Sequence, residues 1–158
     1  MMNTQTGKKN KAILLVEDDN DDSEIIEQFL KRSGISNPVY RARDGIEAVE
    51  MLREMTCDEK LGRPFLLLVD IYMPRMNGLQ FLETVRVSEE LKDNMAFIIT
   101  TSSWVRDKVL AYRLNVAGYI LKDHMHGLAG CVSHYCATET LSRNASDTFN
   151  EYACFTSG

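Results

Sequence analysis

Phe65-Leu66-Leu67-Leu68-Val69 is a run of five apolar residues with no polar alternation, closed by an acid, Asp70. A strand with one wet face alternates apolar and polar side chains. A strand covered by helices on both faces reads instead as a short apolar block. Two more blocks share that form: Ala12-Ile13-Leu14-Leu15-Val16 runs into Glu17-Asp18, and Ala96-Phe97-Ile98-Ile99 runs into Thr100-Thr101. Weaker strands are expected at Val39 to Ala42 and at Tyr119 to Leu121, the second ending at Lys122.

Helical spacing fills the gaps. Ile25, Ile26, Phe29 and Leu30 form one stripe, with Gly34 as a stop and a cap expected among Asn20 to Asp22. Ile46, Val49 and Met51-Leu52 predict a second helix. Leu79, Leu82 and Val85 predict a third, starting after Met76-Asn77-Gly78. Val105, Val109 and Tyr112 lie i, i+4, i+7 in a fourth, with Ser102 or Ser103 as the expected cap. Leu128, Cys131, Val132 and Tyr135 predict a fifth, weakened by Gly127 and Gly130. The pattern is strand then helix, five times over. Right-handed crossovers turn it into an open parallel sheet with helices on both faces.

In such sheets the functional crevice lies beyond the carboxyl ends of the strands. Here those ends carry Glu17 and Asp18, then Asp70, Thr100 and Lys122. Converging carboxylates repel, and a divalent cation relieves the repulsion. Oxygen donors without His or Cys select Mg2+, or Mn2+, over zinc. With its charge so balanced, Asp70 can act as a nucleophile toward phosphorus. Lys122 is placed to offset a phosphoryl charge, and the Thr100 hydroxyl to hydrogen-bond it.

Composition narrows the class further. The 158 residues hold 18 Lys plus Arg against 23 Asp plus Glu, a net charge of −5. That balance argues against a nucleic-acid binder and against a polybasic membrane-surface protein. No apolar run approaches the roughly 18 residues that span a bilayer, and residues 1–11 lack an apolar signal core, so the expected location is cytoplasmic. Cys57, Cys131, Cys136 and Cys154 form no CxxC pair and read as reduced small hydrophobes; their spacing from His124, His126 and His134 matches no zinc pattern.

At the residues just named, the sequence closely resembles the receiver domain of two-component response regulators. The matching elements are Leu14-Leu15-Val16-Glu17-Asp18, Leu68 to Gly78 with its D-x-x-M-P-x-M-x-G loop, Ile99-Thr100-Thr101-Ser102, and Gly118-Tyr119-Ile120-Leu121-Lys122. Arg63-Pro64-Phe65, with the long segment before it, is most similar to single-domain regulators that partner bacterial phytochromes.

The resemblance implies a (βα)5 flavodoxin-like, doubly wound sheet of five parallel strands in the order 2-1-3-4-5. It implies a phosphoacceptor at Asp70, served by a sensor histidine kinase such as a bacteriophytochrome. Asp18, Asp70 and the backbone carbonyl of Tyr72 would ligate Mg2+, with Glu17 acting through water. Lys122 would pair with the phosphoryl group, Thr100 would swing in to bond it, and Tyr119 would rotate inward behind it. The face of the fourth helix, fifth strand and fifth helix would then dock a partner or form a homodimer. Residues 1–10 read as a tail, 11–141 as the receiver domain, and 142–158 as a tail without strong pattern.

Two other functions compete. An aspartyl-phosphate hydrolase of the haloacid dehalogenase type needs an acid two residues after its nucleophile, where this chain has Tyr72. A pseudo-receiver docking without phosphorylation is opposed by the intact set of Glu17, Asp18, Asp70, Thr100 and Lys122. One departure bears on geometry: the family's Lys-Pro, with its cis peptide, is Lys122-Asp123 here. A non-prolyl cis bond costs about 2.5–4 kcal/mol, so a trans peptide is expected.

Overall fold

The structure, a computed structural model, describes residues 11–137. Both expected tails, the end of the receiver unit beyond 137, and Cys154 lie outside the described residues. The elements follow in strict alternation. They are β1 (Lys11–Val16), α1 (Asn20–Arg32), β2 (Val39–Ala42), α2 (Gly45–Cys57), β3 (Gly62–Val69), α3 (Gly78–Val87), β4 (Met95–Thr100), α4 (Val105–Arg113) and β5 (Gly118–Leu121). A 3₁₀ turn (Lys122–Gly127) then leads into α5 (Leu128–Ala137). The sheet is parallel throughout, with five strands in the order β2-β1-β3-β4-β5.

The unbroken apolar blocks are explained by two cores, one on each face of the sheet. Leu14, Leu67 and Ile98 meet Phe81, Leu82 and Val85 on one side. Ile13, Leu15, Leu68 and Ile99 meet Ile26, Leu30, Leu128 and Val132 on the other. Burial also decides the fifth helix. A helical glycine costs about 1 kcal/mol, whereas a buried Leu or Val side chain contributes about 1.5–3 kcal/mol. Leu128, Val132 and Tyr135 are all buried, so α5 forms through Gly130.

Two expected helix caps are corrected. The cap of α1 is Asp19, not a residue of Asn20 to Asp22: its side chain accepts from the Asp22 N–H at 2.8 Å. That leaves Asp21 and Asp22 in the first turn, where the helix dipole favours acids. At α4, Trp104 holds the cap position with no side-chain hydrogen bond, because the Ser102 hydroxyl donates to Asp107 instead. The stripe that signalled α4 faces outward: Val105 is 74% exposed and Val109 44%. The buried residues of α4 are Asp107 and Ala111.

Register sets the site. Val16 lies beside Val69, and Val69 beside Ile98. Glu17 and Asp70 therefore leave the sheet next to each other, and Asp70 N–H still donates to the Val16 carbonyl at 2.9 Å.

Candidate functional site

Glu17 and Asp18 follow β1 and Asp70 follows β3, and one carboxylate oxygen from each lies within 4.8 Å of the others. Glu17 and Asp70 are buried, whereas Asp18 is exposed. The loop that carries the first two is tied from β2. The Arg41 guanidinium donates to the carbonyls of Glu17 (3.1 Å) and Asp18 (3.2 Å) and to Oδ1 of Asn20 (2.8 Å). Burial pushes the Glu17 carboxyl up to about 7; the Lys122 hydrogen bond pulls it down, and the Asp70 charge adds to the rise. Two acids brought into one dry corner repel as the sequence predicts.

Lys122 answers that charge. Its Nζ lies 3.1 Å from Asp70, 2.8 Å from Glu17 and 2.6 Å from Asp22. Burial alone would lower the lysine, but the bonds to Asp22 and Glu17 outweigh it and hold the ammonium above its usual range. Among the described residues the cis peptide is Arg63-Pro64, so Lys122-Asp123 is trans. The 3₁₀ turn begins at Lys122 itself, and the ammonium still reaches Asp70.

The loop after Asp70 is held at both ends. A Cβ on Gly78 would stand 2.0 Å from the Asp70 carbonyl oxygen, so only glycine lets α3 start against Asp70. Asn77 caps α3 in a reciprocal pair with Gln80. Arg75 adopts a left-handed backbone (φ 64°), a conformation side-chain residues enter at a cost. Its Nε donates to Asp44, the cap of α2, at 2.7 Å, and Gly45 N–H donates to the Met76 carbonyl at 2.9 Å.

Thr100 is fully buried, and its Oγ1 accepts from the Ser102 N–H at 3.3 Å. Tyr119, 6% exposed, donates its hydroxyl to the Ser102 carbonyl at 2.8 Å. Its ring therefore lies inside the fold rather than in solvent. Trp104 stands exposed ahead of α4.

The fold thus gathers Glu17, Asp18, Asp70 and Lys122 directly, with Thr100 and Tyr119 joined to each other through Ser102. Sequence reasoning missed Asp22 as a lysine partner and Asp107 as a buried acid. The one usable signal for Asp22 was its place five residues after Glu17, in the first turn of a helix that starts beside the site. Among the described residues Glu17, Asp18 and Asp70 are the one cluster suited to a metal ion, and no His or Cys joins them.

A parallel 2-1-3-4-5 sheet with an acid cluster and a lysine at its carboxyl edge defines a class. The model of the response regulator receiver domain matches residues 13–128, and the chain belongs to that family, the receivers of two-component signalling. Response regulator Rcp1 of Synechocystis sp. is 33% identical over 136 residues, 83% of this chain and 92% of that protein. Among solved structures, the Mn(2+)-bound form of Rcp1 superposes with a TM-score of 0.69 at 32% identity, covering 84% of this chain and 99% of that one. The bacteriophytochrome response regulator RtBRR gives 0.69 at 30% identity, covering 90% of each chain. Among the described residues no helix is long and apolar enough to cross a membrane.

Proposed function

We propose that this chain is a phosphoacceptor of a two-component relay, taking a phosphoryl group from the phosphohistidine of a sensor histidine kinase onto Asp70. The observation that carries the reading is the Lys122 ammonium 3.1 Å from a buried Asp70, beside two more carboxylates within 4.8 Å. An oxygen-only donor set fits a hard divalent cation. Asp18, Asp70 and the Tyr72 carbonyl would hold Mg2+ or Mn2+ directly, and Glu17 through water. When bound, the ion neutralises the carboxylates and the phosphoryl oxygens.

The rest is done by side chains of the chain. An Asp70 oxygen forms a bond to phosphorus as the P–N bond breaks, and the imidazole keeps that electron pair. Lys122 shifts its charge from the carboxylates to the new phosphoryl oxygens, and the Thr100 hydroxyl donates to one of them. Tyr119 packs behind Thr100. No acid stands two residues after Asp70 to turn over an external substrate, so the bound group is transferred or slowly hydrolysed rather than used in catalysis.

The output is contact with a partner across α4, β5 and α5. The exposed Trp104, Val105 and Val109 supply apolar area there. The similarity to the bacteriophytochrome response regulator RtBRR supports a kinase of the bacteriophytochrome type, in the cytoplasm, as the phosphoryl donor, and the outward apolar residues of α4 support docking of a second copy on this face.

The test is intact-mass analysis after treatment with acetyl phosphate and Mg2+. The wild type gains one phosphoryl group, Asp70→Asn gains none, and chelation abolishes the gain. Equal labelling of wild type and variant refutes the assignment.

A further inference from the structure

We propose that Tyr72 and Asp107 form a clasp that holds Tyr119 inward and so sets the readiness of the acceptor site, a regulation that rests on the phosphoacceptor reading above. Tyr72 is 56% exposed, yet its hydroxyl reaches in to donate to Oδ2 of Asp107 at 2.7 Å. The same oxygen accepts the Ser102 hydroxyl. Asp107 is buried in the first turn of α4, so these two donors are what stand in for its lost water.

Ser102 is the hub. Its side chain binds Asp107, its N–H binds Thr100 Oγ1, and its carbonyl accepts the Tyr119 hydroxyl at 2.8 Å. A residue of the loop after Asp70 is thereby linked to Tyr119 by a continuous run of hydrogen bonds. The link passes through α4 and does not need the Thr100 hydroxyl.

A contact made in only one of two states shifts their balance by its own free energy. The clasp is made with Tyr119 inward, the arrangement assigned to the phosphorylated form. It therefore favours that form before any phosphoryl group arrives. Tyr72→Phe removes one hydroxyl from an exposed ring and leaves the backbone carbonyl in place. A charge-assisted hydrogen bond at a half-exposed site is equivalent to about threefold to tenfold in such an equilibrium.

The experiment uses the full chain with 3-fluorotyrosine at its six tyrosines, and assigns the Tyr119 fluorine signal with Tyr119→Phe. Without any ligand, Tyr72→Phe moves that signal toward its solvent-exposed position. Beryllofluoride with Mg2+, followed by fluorescence of Trp104, the single tryptophan, binds Tyr72→Phe about threefold to tenfold more weakly than wild type. Tyr72→Phe/Asp107→Ala binds no more weakly than Asp107→Ala alone, because one clasp is lost only once. A Tyr119 signal unmoved by Tyr72→Phe, or additive losses in the double variant, overturns the clasp. A wild type indifferent to beryllofluoride sinks the phosphoacceptor reading, while the fluorine signal still decides the clasp by itself.

Discussion

Nζ of Lys122 stands 2.6 Å from Oδ2 of Asp22, an acid in the first turn of α1. This contact is shorter than the 3.1 Å to Asp70. The lysine is thus shared, and on the phosphoacceptor reading an incoming phosphoryl group must draw it away from a rival anion.

Replacing that rival frees the lysine. Asp22→Asn removes a negative charge next to the anion's landing site, so beryllofluoride binds about threefold more tightly than to wild type, a modest factor because Asp22 is partly exposed. Isothermal titration in the presence of Mg2+ checks it. Unchanged or weaker binding shows that Asp22 positions Lys122 rather than competing for it.

Glu17 makes the metal-free fold sensitive to pH. Burial, the largest cause, raises its carboxyl from 4.5 to about 7. Between those values the folded chain keeps a proton that the unfolded chain has lost, so stability falls as pH rises through the window. Melting of chelator-treated protein from pH 5 to 8 should show that decline, and Glu17→Gln should flatten it. Divalent cation reverses the trend, since it competes with the same proton and binds better above pH 7 than below.

Gly78→Ala tests the packing around Asp70. A Cβ placed 2.0 Å from the Asp70 carbonyl oxygen forces the loop or α3 to move. Overpacking of this kind costs about 1–3 kcal/mol, visible as a lowered midpoint in urea. Because the atom pushed is on Asp70 itself, labelling by acetyl phosphate slows as well. A variant with wild-type stability and labelling would show that the loop yields freely.

The strands were legible because burial on both faces leaves a mark in one dimension: Leu66 to Val69 offer no polar residue to a wet face. The strand-end residues were legible for the same reason, since a parallel sheet puts every carboxyl end on one edge. The face of α4 was not. Val105, Val109 and Tyr112 obey helical spacing whether they look at a core or at solvent, and only the sheet shows that Asp107 and Ala111 point inward. Caps depend on where the first helical dihedral falls, and one residue of shift moved the α1 cap to Asp19. Contacts between Lys122 and Asp22, or Tyr72 and Asp107, join segments 100 and 35 residues apart and leave no local trace.

Borohydride trapping tests the central claim most directly. Reduction of an aspartyl phosphate converts the residue to homoserine, which peptide mass spectrometry locates. After acetyl phosphate and Mg2+, homoserine should be found at position 70, and chelation or Lys122→Met should sharply reduce it. Homoserine at Asp18 or Asp22, or at position 70 in equal yield without divalent cation, would contradict the account.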